Sequence, residues 1–189
     1  MDATMERKLQ EMIDRHEIWQ VLLRYGRGLD RVDRKLVRSC YFDDAIEDHD
    51  TFVGKVDDFL DWADQTTLAY ETTHHGLMNH YCELEGDNAY CETHFFFTSV
   101  AKKPPHFMSI GRYIDHFQKR NGEWRIANRV CVVEGKFDIA ESHVSSLPMA
   151  TSYPHAAAQT VTRDRDDVSY HRPPRPRKPQ TPKMWPKDS

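Results

Sequence analysis

Cysteine is scarce in this chain. Its 189 residues include only four, Cys40, Cys82, Cys91 and Cys131. No two of them are spaced as CxxC, which argues against a zinc knuckle or a thioredoxin-type motif, and they read as buried thiols of a cytoplasmic protein. No run approaches the roughly 18 consecutive apolar residues that a membrane span needs, so no membrane association is expected. The start, Met1 to Lys8, has no apolar stretch behind a basic segment, so no signal peptide is expected. Lys and Arg number 26 against 30 Asp and Glu, a formal net charge of -4, and that balance supplies no field to draw in nucleic acid. No repeat shows at a period of about 20–50 residues.

What charge there is lies unevenly. Residues 171–189 hold six of the 26 basic residues, one of the 30 acidic ones and six of the ten prolines. The run His171-Arg172-Pro173-Pro174-Arg175-Pro176-Arg177 fits neither a helix nor a central strand. It reads as an extended, solvated tail, or as an arm lying across a neighbouring subunit. The expected division is a folded domain over 1–150 and an extension over 151–189.

Within the domain the hydrophobic pattern changes character once. Ile13, Ile18, Val21, Leu22, Tyr25 and Leu29 recur near a spacing of three to four and predict a helix over 5–29. Gly26 and Gly28 weaken its last turn and are expected to end it near Asp30. A short helix follows over 33–40, a short strand over 46–48 and a third helix over 57–65, with Phe59, Leu60 and Trp62 facing inward. From Thr72 the signal is β: strands over 77–84, 89–100, 108–118 and 124–134, separated by turn sequences such as Glu85-Gly86-Asp87-Asn88 and Arg120-Asn121-Gly122-Glu123. Helices followed by a run of strands predict an α+β fold, with the helices packed over one face of a curved antiparallel sheet. Such an arrangement encloses a cone, and small-molecule sites favour apolar enclosures lined by a few polar groups.

Four polar positions fall where that cone would be. Tyr25 and Asp30 lie at the end of the first helix. His75 opens a strand in Thr73-His74-His75-Gly76-Leu77-Met78-Asn79. Arg129 sits in the last strand, where strict alternation puts it on a face with Arg125 and Ala127, opposite Trp124, Ile126 and Asn128. It then points either into a pocket or to a surface ion pair. Asp30 would equally serve to cap the following short helix, and Tyr25 to fill the core. Adjacent His74 and His75, with His49 or His94, invite a metal site. Successive strand residues point to opposite faces, however, so both would not readily hold one ion, and no metal is expected.

Six segments in order resemble the SnoaL-like family of the nuclear transport factor 2-like superfamily. They are Leu23-Arg24-Tyr25-Gly26-Arg27-Gly28-Leu29-Asp30-Arg31-Val32-Asp33, Phe42-Asp43-Asp44-Ala45, Thr73 to Asn79, Leu84-Glu85-Gly86-Asp87-Asn88-Ala89, Gly111-Arg112-Tyr113-Ile114-Asp115 and Gly122-Glu123-Trp124-Arg125-Ile126-Ala127-Asn128-Arg129. The stretch Arg163 to Tyr170 resembles a common ending of the same family. The resemblance covers about residues 8–170 and implies a cone-shaped α+β barrel, usually oligomeric, with a trimer favoured and a dimer the alternative. The branch it resembles contains scytalone dehydratase, bile-acid 7α-dehydratase and hexachlorocyclohexane dehydrochlorinase, which use a His-Asp dyad for elimination without a cofactor.

By that resemblance Asp30 matches the dyad carboxylate, and Tyr25 the tyrosine five residues before it. His75, four residues before Asn79, matches the base in preference to His74, and Arg129 fits a late-strand arginine. The implied chemistry is removal of a carbon-bound proton by His75, with Asp30 fixing the imidazole tautomer and stabilising the imidazolium. Tyr25 would donate to the departing oxygen, and Arg129 would hold developing negative charge. Tyr41, Trp62, His94, Phe97 and Tyr113 are expected to line the substrate site. The expected partner is a hydrophobic, ring-bearing small molecule that loses water or a small aldehyde, such as formaldehyde from a diaryl diol. Other members of the fold are isomerases, polyketide cyclases, dioxygenase small subunits or binding modules, and fold alone does not separate these.

Overall fold

The computed structural model describes residues 2–140 and 162–174. The chain divides into two compact units, Met1–Ala140 and Glu141–Ser189. In the first, three helices, α1 (Ala3–Asp30), α2 (Arg34–Arg38) and α3 (Val56–Thr67), precede or interrupt six strands. These are β1 (Tyr41–His49), β2 (Phe52–Lys55), β3 (Tyr70–Glu85), β4 (Asn88–Ala101), β5 (His106–Arg120) and β6 (Glu123–Ile139). One curved sheet contains all six in the order β2-β1-β6-β5-β4-β3. Only the β1–β6 pair is parallel.

Helix α1 starts where the Asp2 carboxylate accepts the Met5 N–H at 2.8 Å, satisfying one of the orphan donors of the first turn. Its second half carries the buried stripe Ile18, Val21, Leu22, Tyr25 and Leu29, which packs on β3 and β6. Ile13 was expected in that stripe but is exposed, because the inward face at this level is taken by its neighbour Asp14, four residues before Ile18. The helix ends at Asp30, as expected, with Gly26 and Gly28 buried in its last turns. A Cβ on Gly28 would sit 2.6 Å from Val37 Cγ2 and 3.0 Å from the Val37 backbone nitrogen, so glycine here lets α2 dock against α1. The chain turns at Val32, and Asp33 then caps α2 by accepting the Leu36 N–H at 3.2 Å. That capping task therefore belongs to Asp33.

The core joins the α1 stripe to Phe59 and Leu60 of α3 and to Phe95, Phe117, Trp124 and Ile126 of the sheet. Burying each such side chain contributes about 1.5–3 kcal/mol. Asp14 ties α1 to the sheet, accepting from Lys119 Nζ at 2.7 Å and from Trp124 Nε1 at 2.9 Å. Strands β1 and β3 both start earlier than their apolar patterns predict: Tyr41 lies inside a strand, and His75 lies within β3 rather than at its opening.

In the second unit, a turn of 3-10 helix covers Val168–Tyr170, and the Arg165 guanidinium lies 4.8 Å from the Tyr170 ring centre. The expectation of an extended tail from 171 lies, beyond residue 174, outside the described residues.

Candidate active site

The concave face of the sheet and helix α3 enclose a cavity of about 330 Å³. Trp62, Phe95, Phe97, Phe107, Tyr113 and Val133 give it apolar walls, and among the polar lining residues are His75, His49, Cys131, Ser109 and Lys136. An apolar enclosure with few polar groups matches what small-molecule sites look like.

His75 and Asp30 meet at its edge. The Asp30 Oδ1 lies 2.7 Å from His75 Nδ1, and Oδ2 accepts the backbone N–H of His75 at 3.0 Å. The Thr73 hydroxyl donates to Oδ1 at 3.1 Å. Both side chains are largely covered, 7% exposed for His75 and 14% for Asp30. Burial alone would raise the Asp30 pKa, but the bonds from His75 and Thr73 outweigh it and hold the carboxyl below its ordinary range. A carboxylate facing Nδ1 keeps the proton on that nitrogen and leaves Nε2 with its lone pair. Helix α1 passes close to β3 here: a Cβ on Gly26 would lie 3.4 Å from the His75 Cβ, ordinary van der Waals contact. His74, one step out of register, is exposed.

Of the expected lining residues, Trp62, Phe97 and Tyr113 face the cavity, and Phe97 packs 4.9 Å from the His75 ring. His94 does not. It stands on the opposite face of β4, 40% exposed and 3.5 Å from Glu92, because alternation puts Thr93 and Phe95 inward. Tyr41 is fully buried outside the cavity lining, and its hydroxyl donates to Glu47 Oε2 at 2.8 Å.

Arg129 is also placed differently from expectation. A bulge at Ala127 breaks the alternation of β6, since Phe117 pairs with Ile126 and His116 with Asn128. Arg129 therefore shares the inner face with Ile126 and Trp124, not the face with Arg125. It lies beneath the cavity floor, fully buried, with Nε and Nη2 on the Asp115 carboxylate at 2.6 and 2.9 Å. Its Nη1 reaches the Tyr41 oxygen at 3.4 Å, and its guanidinium is sandwiched 4.1 Å from the ring centres of Tyr25 and Tyr113. Tyr25 is buried in the same layer, its ring 6.4 Å from that of His75, and its hydroxyl has no well-aligned hydrogen-bond partner among the described residues. Burial pushes that hydroxyl well above its ordinary pKa, so it stays protonated. Neither Arg129 nor Tyr25 is part of the cavity lining.

A second histidine–carboxylate pair, not expected from the sequence, lies on β1. His49 Nδ1 lies 2.9 Å from Glu47 Oε1, and Glu47 is fully buried. His49 lines the cavity, 17% exposed. Burial lowers its basicity, but hydrogen bonding to Cys131 and Glu47 outweighs burial and raises its pKa to about 9. The available signal was the i, i+2 spacing of an acid and a histidine in a strand, which places both on one face.

One further cluster lies away from the cavity. His80, Cys82 and Cys91 bring their ligand atoms within 4.8 Å of one another, Cys82 standing opposite Cys91 across β3 and β4. Nitrogen and sulfur donors of this kind suit a soft or borderline cation. Cys82 is half-buried, not buried as expected.

Similarity to solved structures supports the fold. A protein provisionally assigned as a scytalone dehydratase from Novosphingobium aromaticivorans aligns with a TM-score of 0.63 at 15% identity, covering 70% of this chain and 91% of that one. Hexachlorocyclohexane dehydrochlorinase LinA-type3 from Novosphingobium barchaimii aligns with a TM-score of 0.66 at 15% identity, covering 72% and 97%. A protein from Kribbella flavida aligns with a TM-score of 0.62 at 18% identity, covering 67% and 95%. No curated protein matches the chain. No described helix is long and apolar enough to cross a membrane. Residues 10–130 match the SnoaL-like domain, and the chain belongs to that family, on a nuclear transport factor 2-like α+β fold.

Proposed function

We propose that the chain is a cofactor-independent lyase acting on a hydrophobic, ring-bearing small molecule. His75 Nε2 removes a proton from carbon, the freed electron pair forms a carbon–carbon double bond, and an oxygen leaving group departs. Loss of water is the primary reaction. Loss of a small aldehyde, such as formaldehyde from a diaryl diol, uses the same base on a hydroxyl proton: the carbonyl forms, the carbon–carbon bond breaks, and its electron pair forms a carbon–carbon double bond as the second hydroxyl departs as water.

The observation that carries this reading is the buried Asp30–His75 pair opening onto an apolar cavity. Asp30 fixes the tautomer that leaves Nε2 basic, and its charge offsets that of the imidazolium formed when the proton arrives. The aromatic walls suit aryl groups. The structural relatives that are a scytalone dehydratase-like protein and a dehydrochlorinase support the same reaction class, elimination. Arg129, locked onto Asp115, is assigned to holding the cavity floor and not to binding substrate. The same reading makes the chain a homo-oligomer, with a trimer favoured over a dimer.

The test is a panel of aryl β-hydroxy ketones, diaryl diols and hydroxysteroids, assayed for loss of water or aldehyde by mass spectrometry. His75→Ala is expected to lower turnover by about 10²–10⁴-fold, the usual worth of a positioned base. Unchanged turnover in His75→Ala removes the dyad mechanism. Ligand binding without turnover anywhere in the panel favours a binding module.

A further inference from the structure

Elimination of water needs an acid as well as a base, because hydroxide is a poor leaving group. The two residues expected to assist departure, Tyr25 and Arg129, lie outside the cavity lining, and Arg129 is committed to Asp115. Among the polar residues that do line it, Lys136 is held on both oxygens of Asp50 at 2.9 Å. Burial pushes the Tyr113 hydroxyl well above its ordinary pKa, so it releases its proton poorly. His49 remains.

We propose that His49, held by Glu47, is the catalytic acid that protonates the departing oxygen. This rests on the lyase reading above and extends it to the other half of the reaction. Strand β1 runs parallel beside β6 with His49 opposite Cys131, so the histidine reaches the cavity from a strand that carries neither Asp30 nor His75. Its Nδ1 is fixed on Glu47 Oε1 at 2.9 Å, and Glu47 is itself fixed by the Tyr41 hydroxyl at 2.8 Å. The rings of Phe59, Trp62 and Tyr113 stand 5.3, 5.5 and 6.1 Å from that of His49 and hold its plane. The cavity thus has two histidines of different parentage. One is backed by Asp30 at the end of α1, the other by a carboxylate with no solvent exposure.

The polar groups facing His49 account for its charge state. Glu47 lies on its own strand, and Asp50 follows it in the turn. Cys131 and Lys136 face the cavity from β6, Tyr113 does so from β5, and α3 sets Phe59 and Trp62 against the His49 ring and lines the cavity with Thr66 and Thr67. Behind Glu47, Tyr41 and Arg129 close the layer. With Glu47 and Cys131 hydrogen-bonded to it, His49 carries its second proton at neutral pH, its pKa raised to about 9. In the reaction the imidazolium gives that proton to the leaving oxygen, which departs as water while its bond to carbon breaks. His75 meanwhile gains the proton taken from carbon. Transfer between the two histidines or exchange with solvent then restores both. Two titratable pairs held at different charge states in one pocket is how acid and base roles separate at one pH.

The test is leaving-group dependence. Substrates from the panel are compared as the alcohol, whose departing oxygen needs a proton, and as the matching acetate ester, whose leaving group does not. His49→Gln is expected to slow the alcohol about 10²–10⁴-fold and the acetate less than about tenfold. His75→Gln is expected to slow both. The acetate rate doubles as proof that the variant folds. Glu47→Gln is expected to move the alkaline limb of the alcohol's pH–rate profile from near 9 downward and to leave the acetate profile unaltered. ¹⁵N-histidine spectra of the wild-type chain are expected to show His49 as imidazolium at pH 7. Equal loss on both substrates, no loss on either, or a neutral His49 at pH 7 overturns the acid role alone. Indifference of both substrates to His75→Gln overturns the base. No turnover by the wild-type chain overturns the lyase reading and the acid with it.

Discussion

Asp30 accepts two hydrogen bonds from the same residue, the ring Nδ1–H and the backbone N–H of His75. Each carboxylate oxygen therefore has its own task. One oxygen sets the ring's orientation and the other fixes the strand that carries it.

Asp30→Asn is expected to fail at this point specifically. An amide has one acceptor oxygen, so it cannot take both donors from His75. One of them meets the amide NH₂, and the imidazole is driven toward the tautomer that protonates Nε2 and abolishes the base. Turnover is expected to fall by about 10²–10⁴-fold with KM little altered, as steady-state kinetics would show. The pH dependence of stability also changes. The folded-state pKa of Asp30 lies below its ordinary value of 3.8. Its contribution to stability is therefore present above that value and is lost as pH falls through the folded-state pKa. Urea denaturation below about pH 4 is expected to show a shallower acid decline in Asp30→Asn than in the wild type.

The Arg129–Asp115 pair is fully buried, with side chains 0% exposed on both sides. Arg129→Met leaves Asp115 charged and alone under the cavity floor, which is expected to cost about 3–5 kcal/mol. Burial already raises the Asp115 pKa even with Arg129 present, so the variant's carboxyl protonates at still higher pH. Arg129→Met with Asp115→Leu removes the orphan charge and is expected to recover most of the loss. Chemical denaturation of the single and double variants measures this. A double variant no better than the single one would show that the packing of Arg129 between Tyr25 and Tyr113, and not its charge, is what matters.

The helix-then-sheet order and the pairing of Asp30 with His75 were both legible in the sequence, for different reasons. The strands announce themselves through alternation and turn sequences. The dyad showed because a carboxylate stood at a helix end and a histidine in a strand within a recognisable order of segments. What was hidden is local geometry. The bulge at Ala127 flips Arg129 to the inner face, and no residue type marks it. Asp30 looks like a cap for the short helix until the turn at Val32 places Asp33 over the amides of α2. Glu47 and His49 lie in a strand whose apolar pattern is too weak to set its inward face. An inward charge there looks like an outward one until β6 is seen beside it.

The two glycines at the end of α1 are expected to respond in opposite ways. Gly28→Ala drives a Cβ to 2.6 Å from Val37 Cγ2, to 3.0 Å from Val37 N and to 3.3 Å from Asp33 O. Backbone atoms cannot yield easily, so overpacking is expected to cost about 1–3 kcal/mol. At Gly26 the nearest atom is His75 Cβ at 3.4 Å. Alanine gains up to about 1 kcal/mol of helix propensity there, and thermal stability is expected to hold or rise. The same methyl comes into van der Waals contact with the residue proposed as the base, and a small displacement of a positioned group costs rate, so Gly26→Ala is expected to lower kcat while Tm does not fall. Parallel melting and kinetic measurements separate the two effects.

Cys82 differs from the other thiols. The hydrogen bond from Cys91 lowers its pKa, burial opposes this, and His80 lowers it further, to about 5. Cys40 goes the other way, pushed by burial to about 11. A low pKa gives more thiolate at neutral pH, but each thiolate is a weaker nucleophile by a Brønsted factor of about 0.4–0.5 per unit. Near pH 7 these effects roughly cancel, so absolute speed is a poor test. The shape of the pH profile is a good one. Alkylation of an ordinary thiol falls tenfold for each pH unit below its pKa, as its thiolate fraction does. Alkylation of Cys82 by iodoacetamide is expected to stay flat from pH 8 to about 6 and to decline only near 5. Cys82→Ser is expected to remove that flat phase, as mass spectrometry of the labelled chain would show, and to leave turnover of the lyase panel unaltered, since Cys82 does not line the cavity. Persistence of the flat phase in Cys82→Ser would assign the low pKa to another sulfur.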